Sequence, residues 1–91
     1  MTKEEIYSKY DGMDNYKRNK SVYINKLFNL SMEQLKKETE DKIFLSAYAS
    51  NNIRSDYHWH VDACSDVLFS RTNSDTLYIE CYKNVVKEFN M

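Results

Sequence analysis

Proline is absent from this chain of 91 residues, and glycine occurs once, at Gly12. Both residues interrupt helices and build turns, and glycine also lets a backbone approach a phosphate group closely. The near absence of glycine therefore excludes the glycine-rich loops with which many nucleotide-binding enzymes hold phosphates. Because little in the sequence would interrupt a helix after Gly12, we expect an all-α fold.

Further shortages exclude other classes of protein. Two cysteines, Cys64 and Cys81, are too few for a disulfide scaffold. The apolar runs are only a few residues long, too short for a membrane span or a secretory signal. The net charge of −1 gives no strong field that would attract nucleic acid or an anionic membrane. We therefore expect a single helical domain over residues 1–91, located in the cytoplasm, with no membrane partner and with both thiols free.

Capping signals and apolar spacings predict a compact bundle of four main helices preceded by a short N-terminal helix. Thr2 and Glu5, and again Ser31 and Gln34, have the spacing of a capping box. Asp14 is the predicted cap of the second helix. The stripes predicted to face the core, in helices two to five, are Tyr16, Tyr23, Leu27 and Leu30; Leu35, Ile43, Phe44 and Ala47; Ile53, Tyr57, Val61, Cys64 and Leu68; and Tyr78, Tyr82, Val85 and Phe89.

The densest run of chemically capable side chains covers residues 56–66 and holds both histidines. Residues four apart share a helix face, which gives two sets of three potential metal ligands, with Glu80 or Cys81 as a fourth: His58, Asp62 and Asp66, and Asp56, His60 and Cys64. A His60–Cys64 pair is the alternative thiol site. The simpler interpretation is a buried Cys64 beside a solvated acidic face. We therefore predict no catalytic residue, no metal and no cofactor, and keep the metal or thiol site as an alternative.

A cationic stretch forms the candidate nucleic-acid-binding face. It consists of Lys17, Arg18, Lys20 and Lys26, interleaved with Tyr16 and Tyr23. Cationic side chains neutralise phosphates, and aromatic rings stack on bases. Four charges are few, however, and a run of acidic residues follows between positions 33 and 41. We therefore favour a solvated helix face and keep a nucleic-acid-binding accessory protein as an alternative.

Eight tyrosines are the most unusual surplus of the chain. A bundle of this size cannot bury all of them, and tyrosine is enriched in protein interfaces because its ring is rigid and its hydroxyl tolerates water. We expect Tyr7, Tyr48 and Tyr57 to be partly exposed and to form a protein-binding surface. The alternative is that these rings lie at the edge of the core with only their hydroxyls in solvent.

Together these features predict a small non-enzymatic module that binds another protein. In size and helical texture the chain resembles the small proteins with which phages and mobile elements block host machinery, anti-CRISPR inhibitors among them. The resemblance implies an inhibitor that acts in a bacterial or phage-infected host cell. An abundance of residues with A/T-rich codons agrees with such a source. Leftover apolar surface would also allow a homodimer.

Overall fold

The computed structural model describes residues 2–48 and 56–89, with Tyr48 and Phe89 described by their backbone alone. These residues form five helices and no strand: α1 (Lys3–Lys9), α2 (Lys20–Asn29), α3 (Met32–Tyr48), α4 (Tyr57–Thr72) and α5 (Thr76–Phe89). The prediction of an all-α fold with four main helices and a short first one is confirmed. No helix in the described part of the chain has the length and apolar composition needed to cross a membrane.

Two helix starts follow the capping boxes of the sequence. The Thr2 hydroxyl accepts the Glu5 N–H, and the Glu5 carboxylate accepts the Thr2 N–H, both at 3.2 Å. Ser31 and Gln34 exchange the same pair of bonds at 3.0 and 3.2 Å, and α3 begins at the next residue. Each box satisfies two N–H groups that would otherwise lack a partner. Both predicted boxes are confirmed.

The prediction that Asp14 caps the second helix is wrong. Asp14 instead organises a tight loop over residues 12–19, which we call the hairpin loop. Its carboxylate accepts the N–H groups of Tyr16 and Arg18, both at 2.9 Å, and the Nε of Arg18 at 2.9 Å. Within this hairpin loop, Lys17 adopts a φ of 63°, which is unfavourable for a residue with a side chain. An aspartate that accepts the N–H groups after it stabilises such a turn as readily as a helix start.

Helix α2 therefore begins only at Lys20. Its cap is Asn19, whose side-chain oxygen accepts the N–H of Ser21 at 3.0 Å. Tyr16 lies in the hairpin loop rather than on the helix and is 74% exposed, so its predicted place on the core stripe is also wrong.

Helix α4 lies at the centre of the core and packs against each of the other four helices. The main core consists of Ile6, Tyr10, Ile24, Leu27, Leu35, Ala63, Cys64, Val67 and Leu68. A smaller cluster of Ile43, Cys81 and Val85 joins α3 to α5. In the predicted stripe of α4, Cys64 and Leu68 are confirmed as fully buried, Val61 packs against the smaller cluster, and Tyr57 is only half-buried. Ile53 lies outside the described residues, as does the side chain of Phe89.

Two other predicted core positions are wrong. Tyr82 is 52% exposed, whereas Cys81, its neighbour in α5, is fully buried. Cys81 and Val85 are four residues apart and form the inner line of the helix, and Tyr82 is rotated by about 100° from Cys81 and by about 60° from Val85. Ala47 near the end of α3 is exposed as well. Spacing alone did not identify which of two adjacent lines on these helices faces inward.

Candidate functional site

A cleft of about 600 Å³ lies where the hairpin loop, α2 and α3 meet the start of α4. Its volume falls within the range of about 300–1,000 Å³ that is usual for ligand-binding sites. Four large aromatic residues line it, and we call it the aromatic cleft: Tyr16, Tyr23, Tyr57 and Trp59. Tyr16 comes from the hairpin loop, Tyr23 from α2, and the other two from the first turn of α4.

Ring-to-ring contacts fix one wall of the aromatic cleft. The ring of His60 stacks on that of Tyr23, with centroids 4.2 Å apart and an interplanar angle of 29°. Trp59 meets His60 edge-on at 4.3 Å and Tyr23 edge-on at 5.5 Å. Such offset and edge-to-face pairs are favourable and directional. The wall is therefore held in one arrangement before any ligand arrives.

A cation lies over each of the four cleft rings. The distances from cation to ring centroid are 5.1–5.9 Å, and the pairs are Arg18 with Tyr16, Lys20 with Trp59, Lys26 with Tyr23, and Lys42 with Tyr57. The face of an aromatic ring attracts cations through its quadrupole. The faces of the four rings are therefore already close to cations of the protein itself.

Most of these cations are balanced by carboxylates. The ion pairs are Arg18 with Asp14 at 2.9 Å, Lys26 with Glu38 at 3.4 Å, and Lys42 with Glu38 at 3.4 Å and with Asp41 at 3.5 Å. The rim is consequently mixed in charge. Grooves that follow a phosphate backbone are, by contrast, lined with unpaired lysine and arginine.

Asp56, immediately before α4, connects the hairpin loop to the aromatic wall. It is 8% exposed, and its Oδ1 accepts the indole N–H of Trp59 at 2.9 Å and the backbone N–H of Asn15 at 3.2 Å. Its Oδ2 is also buried and accepts no hydrogen bond from any described residue. A buried acceptor without a donor costs about 1–3 kcal/mol. Asp56 therefore positions Trp59, and its second carboxylate oxygen is a buried acceptor that has no donor among the described residues.

His60 is the second cleft residue with a buried polar atom that has no partner among the described residues, its Nδ1. Burial, and next the nearby Lys42, lower the pKa of this histidine to about 4. Arg18 acts in the same direction, whereas Asp56 and Glu38 oppose it. The imidazole is therefore neutral at neutral pH and offers one acceptor nitrogen.

The lowered pKa of His60 predicts a pH dependence of stability. The unfolded chain gains a proton near pH 6.5 and the folded chain only near pH 4, so the unfolded state binds more protons between these values. The free energy of unfolding should be insensitive to this residue above about pH 7.5. It should fall by about 1–2 kcal/mol between pH 6.5 and pH 4, allowing for partial exposure of the ring.

Chemical denaturation across this pH range measures the effect. Glu5 and Asp14, whose pKa values are also lowered, add a slope of their own as the pH approaches 4, so the His60 contribution is the difference between variant and wild type. His60→Phe retains a ring against Tyr23 and should make the slope shallower, most clearly between pH 6.5 and pH 5, and His58→Gln, a change at the exposed histidine, should leave it intact. A slope in His60→Phe as steep as that of the wild type would contradict the burial of the neutral ring.

The structure brings together only part of the predicted protein-binding surface. Tyr57 lines the aromatic cleft. Tyr7 is half-buried elsewhere, and its hydroxyl donates to the side chain of Asn25 at 3.3 Å. The side chain of Tyr48 lies outside the described residues. The apolar spacing of the sequence predicted that Tyr16 faces the core, whereas its exposed ring lines the cleft.

The predicted basic face, in contrast, largely surrounds the aromatic cleft. Arg18 and Lys26 line it, and Lys20 covers the ring of Trp59. Lys17 is exposed in the hairpin loop. Sequence reasoning missed Lys42, which reaches the cleft from α3, because no local spacing links it to the other cations.

The alternative metal site is not supported. Within residues 2–48 and 56–89, no group of three or more His, Cys, Asp or Glu side chains is arranged to hold a metal ion. His58 and Asp62 are exposed, and the Asp66 carboxylate instead accepts the Tyr10 hydroxyl at 2.7 Å and the Lys9 ammonium at 2.8 Å. Of these three residues, only Asp66 is thus used in packing, where it attaches α1 to α4.

The alternative thiol site also lacks support. Cys64 is fully buried and lies behind the aromatic wall, with its Sγ 3.5 Å from the Tyr23 hydroxyl. Burial raises the pKa values of Cys64 and Cys81 to about 11. Both cysteines are therefore protonated at neutral pH, and a protonated thiol is a poor nucleophile.

Comparisons with known proteins add no precedent for this arrangement. No family model, curated protein or solved structure matches the chain. The chemistry of the aromatic cleft is therefore the basis on which a function is proposed.

Proposed function

We propose that this chain is a non-enzymatic module that binds another protein through the aromatic cleft. The supporting observation is the convergence of four large aromatic residues with Arg18 in one cleft of about 600 Å³. Tyrosine, tryptophan and arginine are the residues that most often dominate binding energy in protein interfaces. The rim also exposes apolar surface, since Tyr16 is 74% and Val22 is 68% exposed.

Preorganisation supports the same proposal. Binding costs free energy when side chains must be ordered, and rings already fixed by stacking and hydrogen bonds reduce that cost. Trp59 is held by its bond to Asp56 and by its contact with His60. Cys64 and Cys81 are buried and their pKa values are raised, which agrees with a function that does not use a thiol nucleophile.

The proposal includes an inhibitory role in the cytoplasm of a bacterial or phage-infected cell. A small module with one binding surface can block a larger machine by occupying the surface that the machine needs. The size and composition of the chain motivate this part of the proposal. Its direct test is whether the captured partner loses activity when the purified chain is added.

Nucleic-acid binding is the second candidate, favoured by the cations that lie over the cleft rings. The ion pairs of Arg18, Lys26 and Lys42 weigh against it. If nucleic acid is the partner, affinity should fall steeply with salt concentration.

A matched pair of tyrosine variants tests the protein-binding proposal. Tyr16 lines the aromatic cleft, whereas Tyr82 lies on α5 and is 52% exposed. Tyr16→Ala should weaken binding of the captured partner at least about tenfold, because it removes a ring from the interface. Tyr82→Ala should leave the affinity unchanged. Affinities are measured by calorimetry, and circular dichroism confirms the helical content of both variants.

The partner is first captured from a low-GC bacterial lysate, with and without nuclease treatment. Capture that nuclease abolishes would favour the nucleic-acid candidate. A loss of affinity in Tyr82→Ala with none in Tyr16→Ala would instead place the interface on α5, where Ile79 and Val86 are also exposed. Analytical ultracentrifugation of the wild-type chain then distinguishes a second copy of the chain from another protein.

A further inference from the structure

Asp56 differs from the other carboxylates around the aromatic cleft in having no cationic partner among the described residues. Asp14, Glu38 and Asp41 all form ion pairs with cleft cations. The Oδ1 of Asp56 is used by Trp59 and by the backbone of Asn15, while its buried Oδ2 accepts no hydrogen bond. Buried carboxylates are ordinarily paired or fully hydrogen-bonded. The Asp56 carboxylate therefore retains the capacity to accept one further hydrogen bond, and a donor that carries positive charge would bind it most strongly.

Neighbouring groups narrow the chemistry of that donor. Nδ1 of His60 is a second buried polar atom without a partner in the described part of the chain, and a neutral imidazole offers an acceptor. A group with several N–H donors and no acceptor would suit the Asp56 carboxylate, and it would also suit Nδ1 of His60 in the tautomer in which that nitrogen is the acceptor. A guanidinium has five such donors in one plane, and it stacks on aromatic faces more readily than an ammonium does.

Lys20 shows that the cleft wall already attracts a cation. Its ammonium lies 5.1 Å from the centroid of the Trp59 ring, the ring whose indole N–H binds Asp56. None of the described carboxylates forms an ion pair with Lys20. The flexible ammonium of Lys20 can therefore leave this ring for solvent when another cation arrives.

We propose that the aromatic cleft receives one arginine side chain of the partner protein, whose guanidinium pairs with Asp56 and replaces Lys20 at the Trp59 ring. This inference rests on the proposed protein-binding function and specifies what the partner contributes. The other cleft cations oppose it little, because Arg18, Lys26 and Lys42 are each paired with a carboxylate.

Trp59 is the single tryptophan of the chain, so its fluorescence reports on the cleft of the full-length protein directly. The probe is arginine blocked at both ends as the N-acetyl methylamide. Blocked citrulline, which has nearly the same shape without the charge, is the matched control. Blocked arginine should give a saturable change in the emission of Trp59, and blocked citrulline should bind at least about tenfold more weakly.

Two variants should change the affinity for blocked arginine in opposite directions. In Asp56→Asn the side-chain oxygen can still accept from Trp59 and Asn15, but the charge is lost, so arginine binding should weaken at least about tenfold. Lys20→Gln removes the competing cation, and arginine should bind two- to threefold more tightly, roughly the effect expected of one charge near the protein surface. A blocked glutamate probe would show the reverse response to Lys20→Gln if the cleft instead took an anion. Thermal melts confirm that both variants are folded.

The inference is overturned if blocked arginine gives no saturable signal, if citrulline binds equally well, or if Lys20→Gln weakens arginine binding. Should Asp56→Asn fail to fold, Lys20→Gln and the citrulline comparison still decide the matter. If Tyr16→Ala weakens partner binding but blocked arginine does not bind, the proposed protein-binding function is supported and the proposed arginine is excluded. If blocked arginine binds but Tyr16→Ala leaves the affinity for the partner unchanged, the cleft is a cation site and the protein interface lies elsewhere.

Discussion

Replacing Leu68 by alanine should lower the free energy of unfolding by about 2–5 kcal/mol, the largest loss that we expect from a single substitution in this chain. Leu68 is fully buried in the main core, on the helix that contacts each of the other four. The substitution removes buried apolar surface and leaves a cavity that the surrounding helices can fill only in part. Urea denaturation followed by circular dichroism measures the change.

Phe69 provides the matched control because it is the next residue of α4 and is 43% exposed. Phe69→Ala removes a larger side chain yet should cost much less than Leu68→Ala, since less apolar surface is returned to water. Asp62→Ala, at an exposed position of the same helix, should change stability by less than about 0.5 kcal/mol. Equal losses in Leu68→Ala and Phe69→Ala would show that the inner face of α4 has been misplaced.

The features that were predicted correctly from the sequence depend on interactions between residues close together in the chain. Both capping boxes link residues three apart, and their hydrogen bonds form as the spacing requires. The inner face of α4 was identified because Cys64 and Leu68 repeat at the period of a helix. The near absence of glycine and proline correctly indicated that helices would dominate.

The errors arose where one local pattern is compatible with two structures. Asp14 accepts the N–H groups that follow it in a turn as well as it would at a helix start. On α5, the lines through Tyr78 and Tyr82 and through Cys81 and Val85 have the same spacing, and only packing against α3 decides that the second is buried. Tertiary contacts therefore decide which line of α5 is buried, and local periodicity does not contain that information.

The aromatic cleft could not be assembled from the sequence for a related reason. Its residues come from positions 14 to 60 and lie on four different segments, so no motif spacing connects them. Sequence reasoning did single out Tyr57, Arg18, Lys20 and Lys26, but in two separate hypotheses. The fold brings Tyr57, Arg18 and Lys26 together at the cleft, and Lys20 lies over the ring of Trp59, which also lines it.

The second large effect is expected at Asp66, which the sequence offered as a metal ligand and which the fold uses to attach α1 to α4. Its carboxylate accepts the hydroxyl of Tyr10 at 2.7 Å and the ammonium of Lys9 at 2.8 Å. Tyr10 is only 6% exposed; burial, and next the bond to Asp66, raise the pKa of its hydroxyl. Asp66→Ala leaves this hydroxyl without its acceptor and should cost about 2–3 kcal/mol of stability.

A double-mutant cycle with Tyr10→Phe isolates the bond between the two side chains. The double variant should be less destabilised than the sum of the single variants, by about 1.5–3 kcal/mol for a hydrogen bond to a charged group. Lys9→Ala is the control, because the lysine side chain is 48% exposed and its ion pair should contribute less than about 1 kcal/mol. If Asp66→Ala costs no more than Lys9→Ala, and Tyr10→Phe is neutral, then α1 is held by the burial of Ile6 and Tyr10 alone, and the buried hydroxyl of Tyr10 makes no net contribution to stability.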